Sequence, residues 1–178
     1  MVEVVIDSIR VSLMSQHRVV VLKDTTGERY LTIFIGPCEA DAITIHLQSL
    51  QGGGRISRPM THDLLKTVME TLGGQLKHIL INDLREEVYY AELLVEVDGT
   101  ELRIDSRPSD AIALAVRANV PIYVSESVME RAASTPDEEI SETEDKAEAP
   151  HQEDHGDDDL DIFADFVDTL DLDDLDED

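Results

Sequence analysis

Charge is divided so unevenly along this 178-residue chain that only its first 134 residues can build a core. Residues 1–134 carry 13 basic and 19 acidic side chains, a net of −6, whereas residues 135–178 carry 1 and 21, a net of −20. Like charges at that density repel one another, and the tail has too little apolar surface to offset the entropy of ordering it. The change begins at Ser134-Thr135-Pro136-Asp137-Glu138-Glu139, beyond which Lys146 is the sole cation. The expectation is a folded domain over residues 1–133 and a disordered acidic tail over 134–178, with 135–158 as a linker. Leu160, Phe163, Val167 and Leu170 recur at helical spacing, so 160–172 reads as a short amphipathic segment suited to a basic, apolar groove. Asp157, Asp159, Asp161, Asp165 and Asp168 imitate EF-hand ligand positions, but Ile162 stands where that loop needs glycine.

The first part of the chain alternates strand and helix signals. Residues 2–13 are rich in β-branched side chains, and residues 18–22 run through Asp24-Thr25-Thr26-Gly27 into residues 30–35, an antiparallel hairpin signature. Gly36-Pro37 stops that strand and suits the first turn of a helix with the apolar stripe Ala40, Ile43, Leu47 and Leu50, ending before Gly52-Gly53-Gly54. A second helix is predicted with Thr61 as its N-cap and Asp63 in its first turn. Leu64, Leu65, Val68, Met69 and Leu72 form its buried face, and Gly73-Gly74 ends it. Residues 76–84, 88–97 and 101–104 read as strands, the last two joined by a tight Asp98-Gly99 turn. A third helix starts near Pro108, with Ile112, Ala115 and Val116 inward and Asn119 at its end. Pro121-Ile122-Tyr123-Val124 and a short helix from Ser125 follow. The pattern predicts an α+β fold with a mostly antiparallel or mixed sheet and packed helices, not a doubly wound nucleotide fold.

Composition removes several functions. A formal charge of −26 disfavours a simple electrostatic grip on nucleic acid. The single cysteine, Cys38, cannot form an internal disulfide or a cysteine-based zinc cage, and His17, His46 and His78 lack ligand spacing. Gly52-Gly53-Gly54 is a connector, because no Gly-Lys-Ser/Thr follows it. The opening residues have no basic leader, and no apolar run approaches the roughly 20 residues of a membrane span, so the expectation is a soluble cytoplasmic protein.

Three predicted helix starts share a proline and a carboxylate: Gly36-Pro37-Cys38-Glu39-Ala40-Asp41, Arg58-Pro59-Met60-Thr61-His62-Asp63 and Asp105-Ser106-Arg107-Pro108-Ser109-Asp110. The free N–H groups of a helix start attract anions, so Arg58 and Arg107 are candidates to hold a phosphodiester through the arginine fork. Glu39, Asp63, Asp105 and Asp110 are hard oxygen donors of the kind that hold Mg²⁺ or Mn²⁺, and His62 belongs to the residue type suited to moving a proton near neutrality. The structural reading of the same residues is that acids in a first turn stabilise the helix dipole and pair with nearby arginines. Cys38, at a helix start, is a candidate nucleophile for which the sequence assigns no histidine-aspartate partner.

At these helix starts the sequence resembles the bifunctional nuclease family, formerly a domain of unknown function, found in bacteria and plants. The resemblance rests on Ile35-Gly36-Pro37-Cys38-Glu39-Ala40, on Arg58-Pro59-Met60-Thr61-His62-Asp63-Leu64-Leu65 and on Asp105-Ser106-Arg107-Pro108-Ser109-Asp110-Ala111-Ile112, followed by Pro121-Ile122-Tyr123-Val124. It covers residues 1–133 and implies an α+β domain that self-associates and a nuclease activity on DNA and RNA. Where plant members carry a C-terminal helical interaction module, this sequence has the acidic segment.

The leading expectation is a metal-assisted phosphodiesterase in which Glu39, Arg58, His62, Asp63, Asp105, Arg107 and Asp110 form one site. The alternative is a non-enzymatic binding or regulatory domain, which the net of −6 over residues 1–134 favours because nucleic-acid surfaces are usually basic. The acidic tail is expected to solvate the protein, to bind a basic partner, or to occupy the Arg58 and Arg107 region as a polyanion mimic.

Overall fold

Side chains that alternate between apolar and polar along the chain form the strands of one mixed sheet. In the computed structural model of the protein the described residues are 1–11, 17–50, 52 and 58–135. In chain order the elements are β1 (Val2–Val11), β2 (Arg18–Asp24), β3 (Tyr30–Ile35), α1 (Pro37–Leu50), α2 (Thr61–Thr71), β4 (Gly74–Arg85) and β5 (Val88–Val97). They continue with β6 (Thr100–Ser106), α3 (Pro108–Ala118), β7 (Ile122–Val124), α4 (Glu126–Ala132) and β8 (Ala133–Ser134). The α+β class read from the sequence is the class observed. The tail from residue 136 onward, with its 160–172 segment and EF-hand imitation, lies outside the described residues, as do residues 12 and 13 of the first predicted strand.

The strand order is β6-β5-β4-β7-β1-β2-β3-β8. Two antiparallel meanders, β1-β2-β3 and β4-β5-β6, are joined through β7, which runs parallel to β4 and antiparallel to β1. The Asp98-Gly99 turn takes φ of 50° and 77°, the left-handed pair that a two-residue hairpin needs. Glu86 and Glu87 make the same turn between β4 and β5 at φ of 48° and 64°, a conformation that glycine or asparagine would adopt at lower cost.

Alternation decides which faces meet. Leu31 and Ile33 point into the core while Thr32 and Phe34 point out. The core joins Val20, Leu22, Ile79 and Ile81 of the sheet to Ile112 and Leu114 of α3 and Met129 of α4. The sheet is strongly curled, because the Tyr89 hydroxyl of β5 donates to the Thr32 carbonyl of β3 at 3.4 Å although four strands separate them in the sheet order.

One helix departs from the sequence expectation. The predicted buried face of α2 contains no buried residue; Leu64, Leu65, Val68 and Leu72 are 58%, 48%, 44% and 76% exposed. Met69 alone packs against the core. Helix α2 lies against α3 and β4 with this stripe turned away from both, held by polar anchors that include Lys66 Nζ donating to the Arg117 carbonyl at 3.0 Å. Its N-cap is Met60, not Thr61, because Asp63 reaches back one residue further to accept the Met60 N–H at 2.8 Å. Among the described residues no helix is long and apolar enough to cross a membrane.

Candidate functional site at three helix N-termini

Helices α1, α2 and α3 each place a carboxylate in their first turn: Glu39, Asp63 and Asp110. That position is favoured locally by the partial positive charge of the helix start. The three side chains then take different partners, and those partners define the site.

Arg107 precedes Pro108 in extended geometry, φ −71° and ψ 145°, which turns its side chain back over the start of α3. Its Nε and Nη2 fork onto the two oxygens of Asp110 at 2.7 and 3.2 Å, and its Nη1 reaches Glu39 Oε1 on α1 at 3.2 Å. His62 Nε2 approaches Asp110 Oδ1 at 3.3 Å from α2. One chain of contacts, Glu39-Arg107-Asp110-His62, therefore joins the three helix starts. Burial alone would raise the Asp110 pKa, but the bonds from Arg107 and His62 outweigh it and hold the carboxyl below its ordinary range. The same bond to Asp110, assisted by Glu39, raises the pKa of Arg107, which keeps it a cation.

Glu39 owes its position to glycine. A Cβ on Gly36 would fall on the Glu39 carboxylate, so only a residue without a side chain lets Glu39 fold back beside the N-cap. The Gly36 carbonyl accepts the Ala40 N–H at 3.0 Å, which fixes that cap.

Asp63 lies apart from this chain of contacts. Its Oδ1 accepts from Arg117 Nε at 2.8 Å while its Oδ2 holds the Met60 N–H. Burial pushes its pKa up, yet those donors win and the net shift is downward. Arg117, whose side chain is only 2% exposed, also donates to the carbonyls of Ala113 and Ala42 and so pins α3 to α1 and α2. Sequence reasoning passed over Arg117; its signal was a lone cation at the end of the apolar run Ala111-Ile112-Ala113-Leu114-Ala115-Val116. Burial and the Arg117 charge together lower the pKa of His46.

Two further candidates are not brought into the cluster. Asp105 lies opposite Glu92 in the β5/β6 register, on the face away from core residue Leu93, and has no ion pair among the described residues. Arg58 is exposed and likewise forms no ion pair among the described residues. Cys38 is exposed and free, and it lines the same cleft as His62 without a hydrogen bond to it.

Two open clefts flank Arg107. The first, about 360 Å³, is lined by Cys38, Thr61, His62 and Asp110; the second, about 300 Å³, lies between β3 and the start of β5, and both are bounded by Glu39 and Arg107. Among the described residues no three His, Cys, Asp or Glu side chains group closely enough to hold a metal ion. Arg107 bridges the two carboxylates that a cation would need, so this arrangement is not a preformed divalent-cation site.

The bifunctional nuclease domain model matches residues 20–137, and the chain belongs to that family. An uncharacterized protein of Mycobacterium tuberculosis is 36% identical over 174 residues, 97% of each chain. Bifunctional nuclease 2 of Oryza sativa subsp. japonica is 43% identical over 76 residues, 41% of this chain and 23% of that protein. Bifunctional nuclease 2 of Arabidopsis thaliana is 30% identical over 111 residues, 61% of this chain and 33% of that protein.

Proposed function

We propose that the protein hydrolyses phosphodiester bonds of nucleic acid in the cleft between the starts of α1, α2 and α3. The observation that carries this reading is the Glu39-Arg107-Asp110-His62 chain of contacts at the meeting point of the three motifs. Arg107 is 66% exposed, and three of the five N–H donors of its guanidinium are engaged, so two remain for phosphate oxygens. Asp110, held anionic, orients the imidazole of His62. His62 takes a proton from the attacking water as the new P–O bond forms and returns it to the leaving oxygen as the old bond breaks. Arg107 meanwhile offsets the charge that gathers on the phosphoryl oxygens.

Glu39 holds Arg107 from the other side. A divalent cation such as Mg²⁺ or Mn²⁺ would have to displace Arg107 to reach Glu39 and Asp110, so no step here runs through one. The test is cleavage of labelled RNA and DNA by wild type, His62→Ala and Asp110→Asn, each with and without chelator. Loss of roughly 10²-fold or more in both variants is expected for a proton-transfer pair. Undiminished cleavage in both would overturn the reading.

A second reading, a non-enzymatic binding domain, is favoured by the net of −6 over residues 1–134 and by the pairing of Arg107 with two acids. Retained oligonucleotide binding with no turnover by wild type would select it. Self-association belongs to the proposal too, because the exposed apolar face of α2 needs a cover.

A further inference from the structure

Beyond phosphate, the second cleft offers a different surface. Among the described residues Thr32 to Ile35 of β3 have no strand partner on the edge facing it, because β8 pairs only with Tyr30 and Leu31. Phe34 stands 70% exposed beside this edge, and Val88, 55% exposed, stands on the opposite wall. Arg107 closes one end. An exposed aromatic ring and an aliphatic side chain thus line the same cleft as the Arg107 cation, which also lines the first.

We infer that this cleft is a subsite for one unpaired nucleobase, which stacks on Phe34 against Val88 while the adjoining phosphate sits at Arg107. The inference rests on the phosphodiesterase reading of the neighbouring cleft and adds the substrate class, single-stranded nucleic acid. The argument for this occupant is chemical. An acidic domain gains little from counterion release, so its affinity for a polyanion must come from contacts other than charge, and stacking of bases on aromatic rings is the principal one available to single strands. Bases in a duplex are already stacked and cannot enter. The glutamates that line it, Glu39 and Glu87, suit the exocyclic amino groups of a base. Beyond the Thr32 carbonyl, which Tyr89 holds, the peptide groups along this β3 edge that have no strand partner among the described residues add donors and acceptors for the base rim.

The test uses the full chain with His62→Ala as background, so that the probe stays intact. Binding of a labelled single-stranded oligonucleotide, its duplex and an abasic strand is followed by fluorescence anisotropy. Phe34→Ala is expected to weaken the single strand by about 5- to 150-fold, Phe34→Tyr to retain it, and the duplex and abasic strand to bind weakly throughout. The single-strand affinity should fall with salt at a log–log slope near about −0.7, the value for one neutralised phosphate. Val88→Ser, on the other wall, should weaken binding in the same direction. If Phe34→Ala and Val88→Ser bind the single strand as tightly as their background while wild type still cuts nucleic acid, the subsite is refuted and the phosphodiesterase reading stands. If wild type neither binds nor cuts any nucleic acid, both fall.

Discussion

Arg117 holds Asp63 at 2.8 Å from within the packed helices, and this bond fixes the start of α2, on which His62 sits one residue earlier. The arginine also donates to the Ala113 and Ala42 carbonyls, so its loss removes the bonds that tie α3 to α1 and α2 and leaves the Asp63 carboxylate without its cation. Arg117→Met is expected to destabilise the protein by about 3 kcal/mol or more, read as a shift in the urea midpoint. Asp63→Asn, which leaves Arg117 its two carbonyl partners, should cost less. Equal stability of Arg117→Met and wild type would contradict the role given to this pair.

Gly36 and Glu39 are coupled by space. Gly36→Ala puts a methyl group where the Glu39 carboxylate lies, so the glutamate must swing away and release Arg107 Nη1. The expected outcome is a fall in cleavage or binding comparable to that of Glu39→Gln. The double variant Gly36→Ala with Glu39→Gln should be little worse than either single one, since both remove the same contact. Additive losses, measured as a double-mutant cycle on kcat/KM, would mean that Gly36 acts by another route.

Local signals were legible in the sequence wherever the physics is local. Period-two alternation marked the long strands, and Asp98-Gly99 marked its turn because those residue types tolerate positive φ. Glu86-Glu87 gave no such signal, since glutamate is an ordinary residue forced into that geometry by the pairing of β4 with β5. The amphipathic stripe of α2 was legible too, but a stripe says only that one face is apolar and not what covers it. The site is a harder case. Three first-turn carboxylates look alike in sequence, yet Asp63 is claimed by Arg117, 54 residues away, while Asp110 meets His62 across 48 residues and Glu39 meets Arg107 across 68. Those separations are set by strand order, which no spacing rule supplies. Strand parity alone, with Ile104 on the face of Leu93, places Asp105 on the opposite face.

Asp24 should make the fold sensitive to acid. It is buried and accepts the Thr26 N–H at 2.8 Å, the Thr26 hydroxyl at 2.8 Å and the Arg29 Nε and Nη2 at 3.1 and 2.8 Å. The Thr26 N–H is the main cause of a pKa below the ordinary value; burial opposes it, and the Thr26 hydroxyl and Arg29 add to it. The native state therefore binds this proton only at lower pH than the unfolded chain does. Its stabilisation is complete above the unfolded value of about 3.9 and is lost as pH falls through the lower folded value. Asp24→Asn is expected to cost about 1–3 kcal/mol at neutral pH and to flatten the pH dependence of the urea midpoint below about pH 4. An unchanged acid limb would assign that limb to other carboxylates.

The exposed face of α2 predicts self-association. Leu64, Leu65, Val68 and Leu72 give α2 an apolar face that its own contacts, with α3 and β4, leave exposed. Leu102 and Ile104 of β6, an edge strand among the described residues, are each 45% exposed as well. Water contact with a patch of this kind is unfavourable, and an open strand edge adds unpaired peptide groups. A second copy meeting the α2 face about a twofold axis would cover it, since the same patch then serves on each side. Sedimentation of wild type is expected to give a dimer or larger species, and Leu65→Glu with Leu72→Glu to give a folded monomer, because these side chains contribute nothing to the core of their own chain. Wild type that sediments as a monomer at micromolar concentration would remove self-association from the proposal and leave the α2 face to a different partner.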